Sequence, residues 1–193
     1  MQNLLRKVSH LNVEVICPLH GPILKENLDY YLGLYNTWSN YEPETEGVFI
    51  AYASIHGGTA EAAHKLAEIL KEKGVQKVSI MDLSRCDMAE AVEDAFKMSR
   101  MVLAAASYDA GIFPPMNDFL HHLQDKNFQN RRVAIVENGS WAPVAGKLMC
   151  GAMQKLKDIE IVETIVTIRG RMKASDVPQL ERLADMLLNN EVE

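Results

Sequence analysis

Cysteine is scarce in this chain. Cys17, Cys86 and Cys150 are the 3 present, far apart and with no Cys-x-x-Cys among them. An odd, sparse set fits a reduced, cytoplasmic protein better than a disulfide-stapled one. Positive charge is in deficit: 20 Lys and Arg stand against 26 Asp and Glu, a formal net charge of -6. DNA or another polyanion is therefore not an expected partner. No apolar run approaches a membrane span, and no signal-type apolar segment follows Arg6 and Lys7. There is no internal repeat and no low-complexity tract. Neither phosphate-loop signature is present: no Gly-Lys-Ser/Thr, and no Gly-x-Gly-x-x-Gly.

What is present is an ordinary globular composition, 48% hydrophobic and 24% charged over 193 residues. That suits one domain, or one domain with a short extension. The organising stretch is Val48 to Thr59. Val48 to Ala53 is continuously apolar, as in a strand covered on both faces. Ser54-Ile55-His56-Gly57-Gly58-Thr59 follows, a hydroxyl- and glycine-rich turn without lysine or arginine. The next segment has helical period, with Ala63, Leu66, Ala67 and Leu70 on one side. A phosphate at that helix start would meet unpaired N–H groups and the positive end of the dipole. Neutral donors of this kind suit a monophosphate such as flavin mononucleotide, FMN. The turn by itself also fits an ordinary β–α connection with Thr59 as N-cap.

The order of patterns predicts the architecture. A short helix to about Leu11, a strand over Asn12–Cys17, a rigid Pro18-Leu19-His20-Gly21-Pro22 turn and a helix over Lys25–Ser39 come first. The acidic, proline-containing segment from Asn40 to Gly47 reads as a linker, dividing the chain into 1–46 and 47–193. Five strand–helix units then follow. The later strands are expected at Lys77–Asp82, Met101–Ala106, Val133–Val136 and Ile159–Ile168. The helices are expected at Met88–Met98, Pro114–Lys126, Ala145–Lys157 and Ser175–Asn190, with Asp87 as one cap. Such a chain builds an α/β, doubly wound parallel sheet with helices on both faces. Its ligand is expected beyond the carboxyl ends of the strands, where strand order reverses.

Two further loops lie at that rim: Ser107-Tyr108-Asp109-Ala110-Gly111 and Asn138-Gly139-Ser140-Trp141-Ala142. Each combines small residues with one large aromatic. Small residues let backbone amides reach the polar edge of a flat heteroaromatic ring, and an aromatic side chain covers a face. Capping of the sheet by Tyr108 and Trp141 is the plainer reading of either loop alone. Asp82, Asp109 and Asp118 do not fit a phosphoacceptor site, since the first strand ends in Ala53-Ser54. Cys150, within a helix, reads as core. Arg169, Arg171 and Lys173 read as a solvated loop, or as one that touches a neighbouring domain. The three turns themselves carry no lysine or arginine, so they are expected to hold ring and phosphate without a positive side chain.

The segment from Gly47 onward resembles flavodoxin-like domains. More narrowly, Tyr108-Asp109-Ala110-Gly111-Ile112-Phe113-Pro114-Pro115-Met116 and Glu137-Asn138-Gly139-Ser140-Trp141-Ala142-Pro143 are similar to the second and third flavin loops of flavodiiron proteins (A-type flavoproteins). Leu19-His20-Gly21-Pro22 and Tyr35-Asn36-Thr37-Trp38-Ser39 resemble the end of that family's metallo-β-lactamase-like iron domain and its linker helix. The resemblance implies a five-stranded sheet of order 2-1-3-4-5, with FMN held by Ser54–Thr59, Ser107–Gly111 and Asn138–Ala142. It places Trp141 against the ring, and His56 where many relatives carry an aromatic.

The family also uses two irons. Its His-x-Glu-x-Asp-His ligand cluster is absent here, and only His20 matches a ligand position. His121 and His122 are adjacent on a helix and point about 100° apart, so they cannot share a metal. This chain is therefore expected to be a domain fragment or truncated product that does not assemble a di-iron site. The resemblance implies a rubredoxin-like or flavin reductase electron donor, a di-iron domain in the intact protein, and a homodimer. Two other functions remain open on the sequence: a free-standing FMN-dependent quinone-type reductase, and a non-redox interaction domain on the same fold.

Overall fold

The computed structural model describes residues 1–188, which divide into two units, Met1–Glu44 and the described residues from Thr45 onward. In the first unit, α1 (Gln2–Val8) and α2 (Leu28–Ser39) are tied by the Gln2 amide, which donates to Asn36 Oδ1 at 3.0 Å and Ser39 Oγ at 2.9 Å. The strand expected over Asn12–Cys17 is reduced to a single bridge between Ile16 and Leu24. Its alternating pattern has no neighbouring sheet to pair with. None of the 44 residues is buried, and Leu4, Leu11, Val15, Leu19 and Ile23 stand exposed.

The second unit is the expected doubly wound sheet. Its elements are β1 (Thr45–Ala53), α3 (Gly58–Glu72), β2 (Val78–Asp82), α4 (Met88–Lys97), β3 (Met98–Tyr108), β4 (Gly111–Ile112), α5 (Pro114–Asp125), β5 (Arg131–Asn138), α6 (Ala145–Met153), β6 (Ile159–Ile168) and α7 (Val177–Leu188), with a 3-10 turn at Ala174–Asp176 before α7. The end of the last helix predicted to Asn190 lies outside the described residues. The parallel order is β2-β1-β3-β5-β6, and β4 pairs antiparallel with the end of β3. Leaving that two-residue strand aside, this is the expected 2-1-3-4-5.

Strand alternation sends neighbouring residues to opposite layers. Phe49, Ala51 and Ala53 of β1 face the core shared with α4, α5 and α6. Val48, Ile50 and Tyr52 face the core shared with α3 and α7. Covering both faces explains the unbroken apolar strands. Leu66, Leu70, Leu180 and Leu183 are fully buried in the α3–α7 layer, and each contributes about 1.5–3 kcal/mol by leaving water. Asp87 caps α4 by accepting from the Ala89 amide at 2.8 Å. Three strands, β1, β3 and β5, start earlier than the apolar pattern suggests. Arg131 is buried at the start of β5, where its guanidinium donates to the carbonyls of Met98, Asn130 and Phe96 and lies over the Phe128 ring. Burial pulls its pKa down to about 10.

Candidate functional site

β1 runs directly into the turn Ser54–Gly57. The Ser54 hydroxyl accepts the Gly57 amide at 3.1 Å, and Gly57 takes φ 89°, a conformation open to glycine at little cost. Gly57, rather than Thr59, is therefore the N-cap of α3, and no side chain caps the helix. The first amides of α3, on Gly58, Thr59 and Ala60, find no acceptor among the described residues. Three unpaired donors at a helix start form an anion seat. Thr59 is buried beneath the turn, while Ile55 and His56 stand exposed above it.

The turn forms one wall of a cleft of about 670 Å³. Ser54, Ile55, His56, Gly57, Gly58 and Thr59 line it, together with Ala106, Ser107, Asn138, Gly139 and Ser140. The ends of β1, β3 and β5 thus converge on one space. Ser107 uses its oxygen internally, accepting the amides of Val144 at 2.9 Å and Ala145 at 3.1 Å. It thereby caps α6 and draws the third loop toward the second. Glu137, buried at the end of β5, completes that junction by accepting the Gly146 amide at 2.8 Å and the Thr167 hydroxyl at 2.9 Å.

The remaining predicted residues lie elsewhere at the rim. Tyr108 pairs with Gly111 in a tight hairpin whose corners, Asp109 (φ 48°) and Ala110 (φ 55°), are both left-handed. The Tyr108 ring is half exposed and leans on Phe113 at 5.9 Å between centroids. Gly111 lines a separate groove between α5 and α6. Trp141 is 95% exposed and Ala142 is also exposed, and neither lines the cleft. Both sit in the third loop, directly beyond Ser140. His20 is exposed in the first unit. Among the described residues, no group of three or more His, Cys, Asp or Glu is placed to hold a metal ion, and no helix is long and apolar enough to cross a membrane.

One wall was not anticipated from the sequence. Gly170 and Arg171, just beyond β6, line the cleft together with Glu61 of α3. The Asn138 side chain holds Gly170 at both ends of its backbone, accepting from its amide at 3.0 Å and donating to its carbonyl at 2.8 Å. A Cβ on Gly58 would stand 2.1 Å from that carbonyl oxygen, so the Gly170 strap passes directly over the start of α3. The expectation of a cleft without positive charge is corrected: Arg171 is on its wall. The signal was present as a glycine between two arginines after the last strand, but nothing local says where that loop lands.

The donor set suits a phosphorylated planar ligand. Amides and hydroxyls occupy the α3 end, and small residues and backbone line the space toward β3 and β5. Known proteins agree. The flavodoxin family model matches residues 50–160. The chain is 27% identical over 177 residues to putative diflavin flavoprotein A 5 of Nostoc, covering 90% of this chain and 30% of that protein. Rubredoxin oxygen:oxidoreductase of Desulfovibrio gigas superposes with a TM-score of 0.89 at 20% identity, over 97% of this chain and 47% of that one. The flavodiiron protein of Giardia intestinalis does so with a TM-score of 0.86 at 13% identity, over 97% and 47%. The chain spans about half or less of the length of these proteins. With the flavodoxin model covering more than half of its residues, the chain belongs to the flavodoxin family, and its relatives include diflavin and flavodiiron proteins.

Proposed function

We propose that the second unit is an FMN-binding electron-transfer domain of a flavodiiron-type oxidoreductase. The observation that carries this reading is the convergence of three strand-end turns on one cleft, with an uncapped helix start at one end. When bound, FMN supplies the one- and two-electron chemistry. The protein's part is binding, orientation and electrostatics. The Gly58, Thr59 and Ala60 amides and the Ser54 hydroxyl would seat the phosphate. Asn138, Gly139, Ser140 and the Ser107–Gly111 hairpin would border the ring, with Trp141 available to cover it from the exposed loop. No side chain of the cleft is assigned a proton-transfer role.

Electrons would arrive from a rubredoxin-like or flavin reductase donor and leave for a di-iron domain, which in the intact protein reduces oxygen or nitric oxide. The first unit supports that context. It has no buried residue, and it exposes an apolar groove lined by residues such as Leu4, Val15, Ile16 and Leu32. Such a surface suits packing against an iron domain of which Met1–Glu44 is the tail. Homodimerisation would bring flavin and iron of different subunits together. The deciding experiment is an absorption spectrum of the purified chain before and after addition of FMN. Flavin bands that stay with the protein through gel filtration support the proposal. A protein that FMN cannot reconstitute overturns it. Rapid NADH oxidation without a partner protein would instead favour a quinone-type reductase.

A further inference from the structure

We infer that Arg171 is a phosphate-recognising residue, delivered to the anion seat of α3 by a strap from the opposite edge of the sheet. This inference rests on the FMN reading above and names the residue that would distinguish FMN from its uncharged relative, riboflavin.

Three observations carry it. The strap's position is fixed, because Asn138 grips both backbone groups of Gly170 and Gly58 has no Cβ to hold it away. Gly170 itself turns at φ 77°, and Arg171, the next residue, lies on the cleft wall. Arg171 is then the one lysine or arginine among the described residues lining the cleft. Its guanidinium makes no hydrogen bond to the described residues. It is parked instead beside Glu61 in the first turn of α3, with Nε 3.8 Å from the carboxylate.

An exposed pair at that distance is a weak hold. A phosphate monoester bound at the α3 amides carries close to two negative charges and offers oxygens that match the guanidinium fork. Arg171 would exchange Glu61 for the phosphate, and Glu61 would then oppose the ligand rather than assist it. The two residues therefore act in opposite directions on the same anion, and neither acts on the ring.

The test uses the full chain freed of flavin, with FMN and riboflavin as separate probes and quenching of flavin fluorescence as the readout. Wild type binds FMN more tightly than riboflavin. Arg171→Gln raises the Kd for FMN about ten-fold, leaves riboflavin unchanged and flattens the salt dependence of FMN binding, as expected for one lost charge-assisted contact. Glu61→Gln tightens FMN a few-fold and also leaves riboflavin unchanged. Arg171→Lys keeps most of the salt dependence. The Arg171 side chain is largely exposed and that of Glu61 partly so, and neither belongs to the core, so the variants fold. An R171Q protein with an unaltered FMN-to-riboflavin ratio overturns the inference while leaving the FMN reading intact. Equal weakening of both flavins also overturns it, because that marks a structural wall. Wild-type protein that binds neither flavin removes the FMN reading and this inference together.

Discussion

The Gly58–Gly170 approach is the most demanding contact in the site, and Gly58→Ala tests it directly. The added Cβ would stand 2.1 Å from the Gly170 carbonyl oxygen. An ordinary contact needs more than 3 Å, so the strap must retreat by about 1 Å. Backbone held by two hydrogen bonds, at 2.8 and 3.0 Å from Asn138, cannot move that far and keep both. Losing them costs roughly 1–3 kcal/mol in total, at about 0.5–1.5 kcal/mol net for each bond. Against this stands the gain from replacing glycine in a helix, up to about 1 kcal/mol. The balance is a destabilisation of about 1–2 kcal/mol, or a Tm lower by roughly 2–8 °C for a domain of this size.

Gly151→Ala supplies the contrast. Gly151 lies in α6, and a Cβ added there would meet nothing within 4 Å, so alanine stabilises by about 0.5–1 kcal/mol. Urea unfolding of the two variants beside wild type measures both signs. A Gly58→Ala protein as stable as wild type, or more so, would refute the argument that the strap is pinned over α3.

Three further outcomes follow from the same reasoning. Ala110→Gly should stabilise the fold by about 1 kcal/mol in urea, because alanine is held at φ 55° in the hairpin and a left-handed conformation costs an L-residue about that much; a loss of stability would show that the methyl group is a needed contact. Glu137→Ala should cost about 2–4 kcal/mol, since it strands the Gly146 amide and the Thr167 hydroxyl, whereas Glu137→Gln, which keeps an acceptor, should cost less; equal losses would contradict the hydrogen-bonding account. Glu46 has its pKa lowered by the Ser99 hydroxyl and then by Arg100. A depressed carboxylate stabilises the fold above its unfolded value of 4.5 and loses that contribution as pH falls through the folded value. Glu46→Gln should therefore narrow the fall in Tm between neutral and acid pH, by a small amount given the exposure of the pair, and an unchanged acid profile would remove Glu46 from the account.

The strands were legible in the sequence because a parallel sheet covered on both faces demands continuous apolar runs, and Val48–Ala53, Met101–Ala106 and Val133–Val136 supply them. Pattern failed where a side chain's destination decides the structure. Arg131 looks like a strand-breaking surface residue, yet carbonyls from Phe96 and Met98 receive its guanidinium inside the fold. Asn12–Cys17 has strand alternation but no sheet beside it. Hairpin corners normally carry glycine, so Asp109-Ala110 concealed β4.

The site divides along the same line. Turns that follow β1, β3 and β5 announce themselves by composition, small and hydroxyl-bearing residues where the chain borders the cleft. The fourth wall does not, since its position depends on α7 packing beside α3 and on an amide side chain 32 residues away. This separation has a physical consequence for the cleft. Its α3 end is locked: Thr59 is buried, Gly170 is gripped at both backbone groups, and Gly57 is tied to Ser54. Its β3–β5 end is held from below by Ser107 and Glu137 but presents Tyr108 and Trp141 to solvent. If FMN binds as proposed, a rigid anion seat beside an exposed aromatic rim would place the constant part of the nucleotide in the fixed half. It would leave the flat ring in the half where, on the proposed function, electrons cross to another protein.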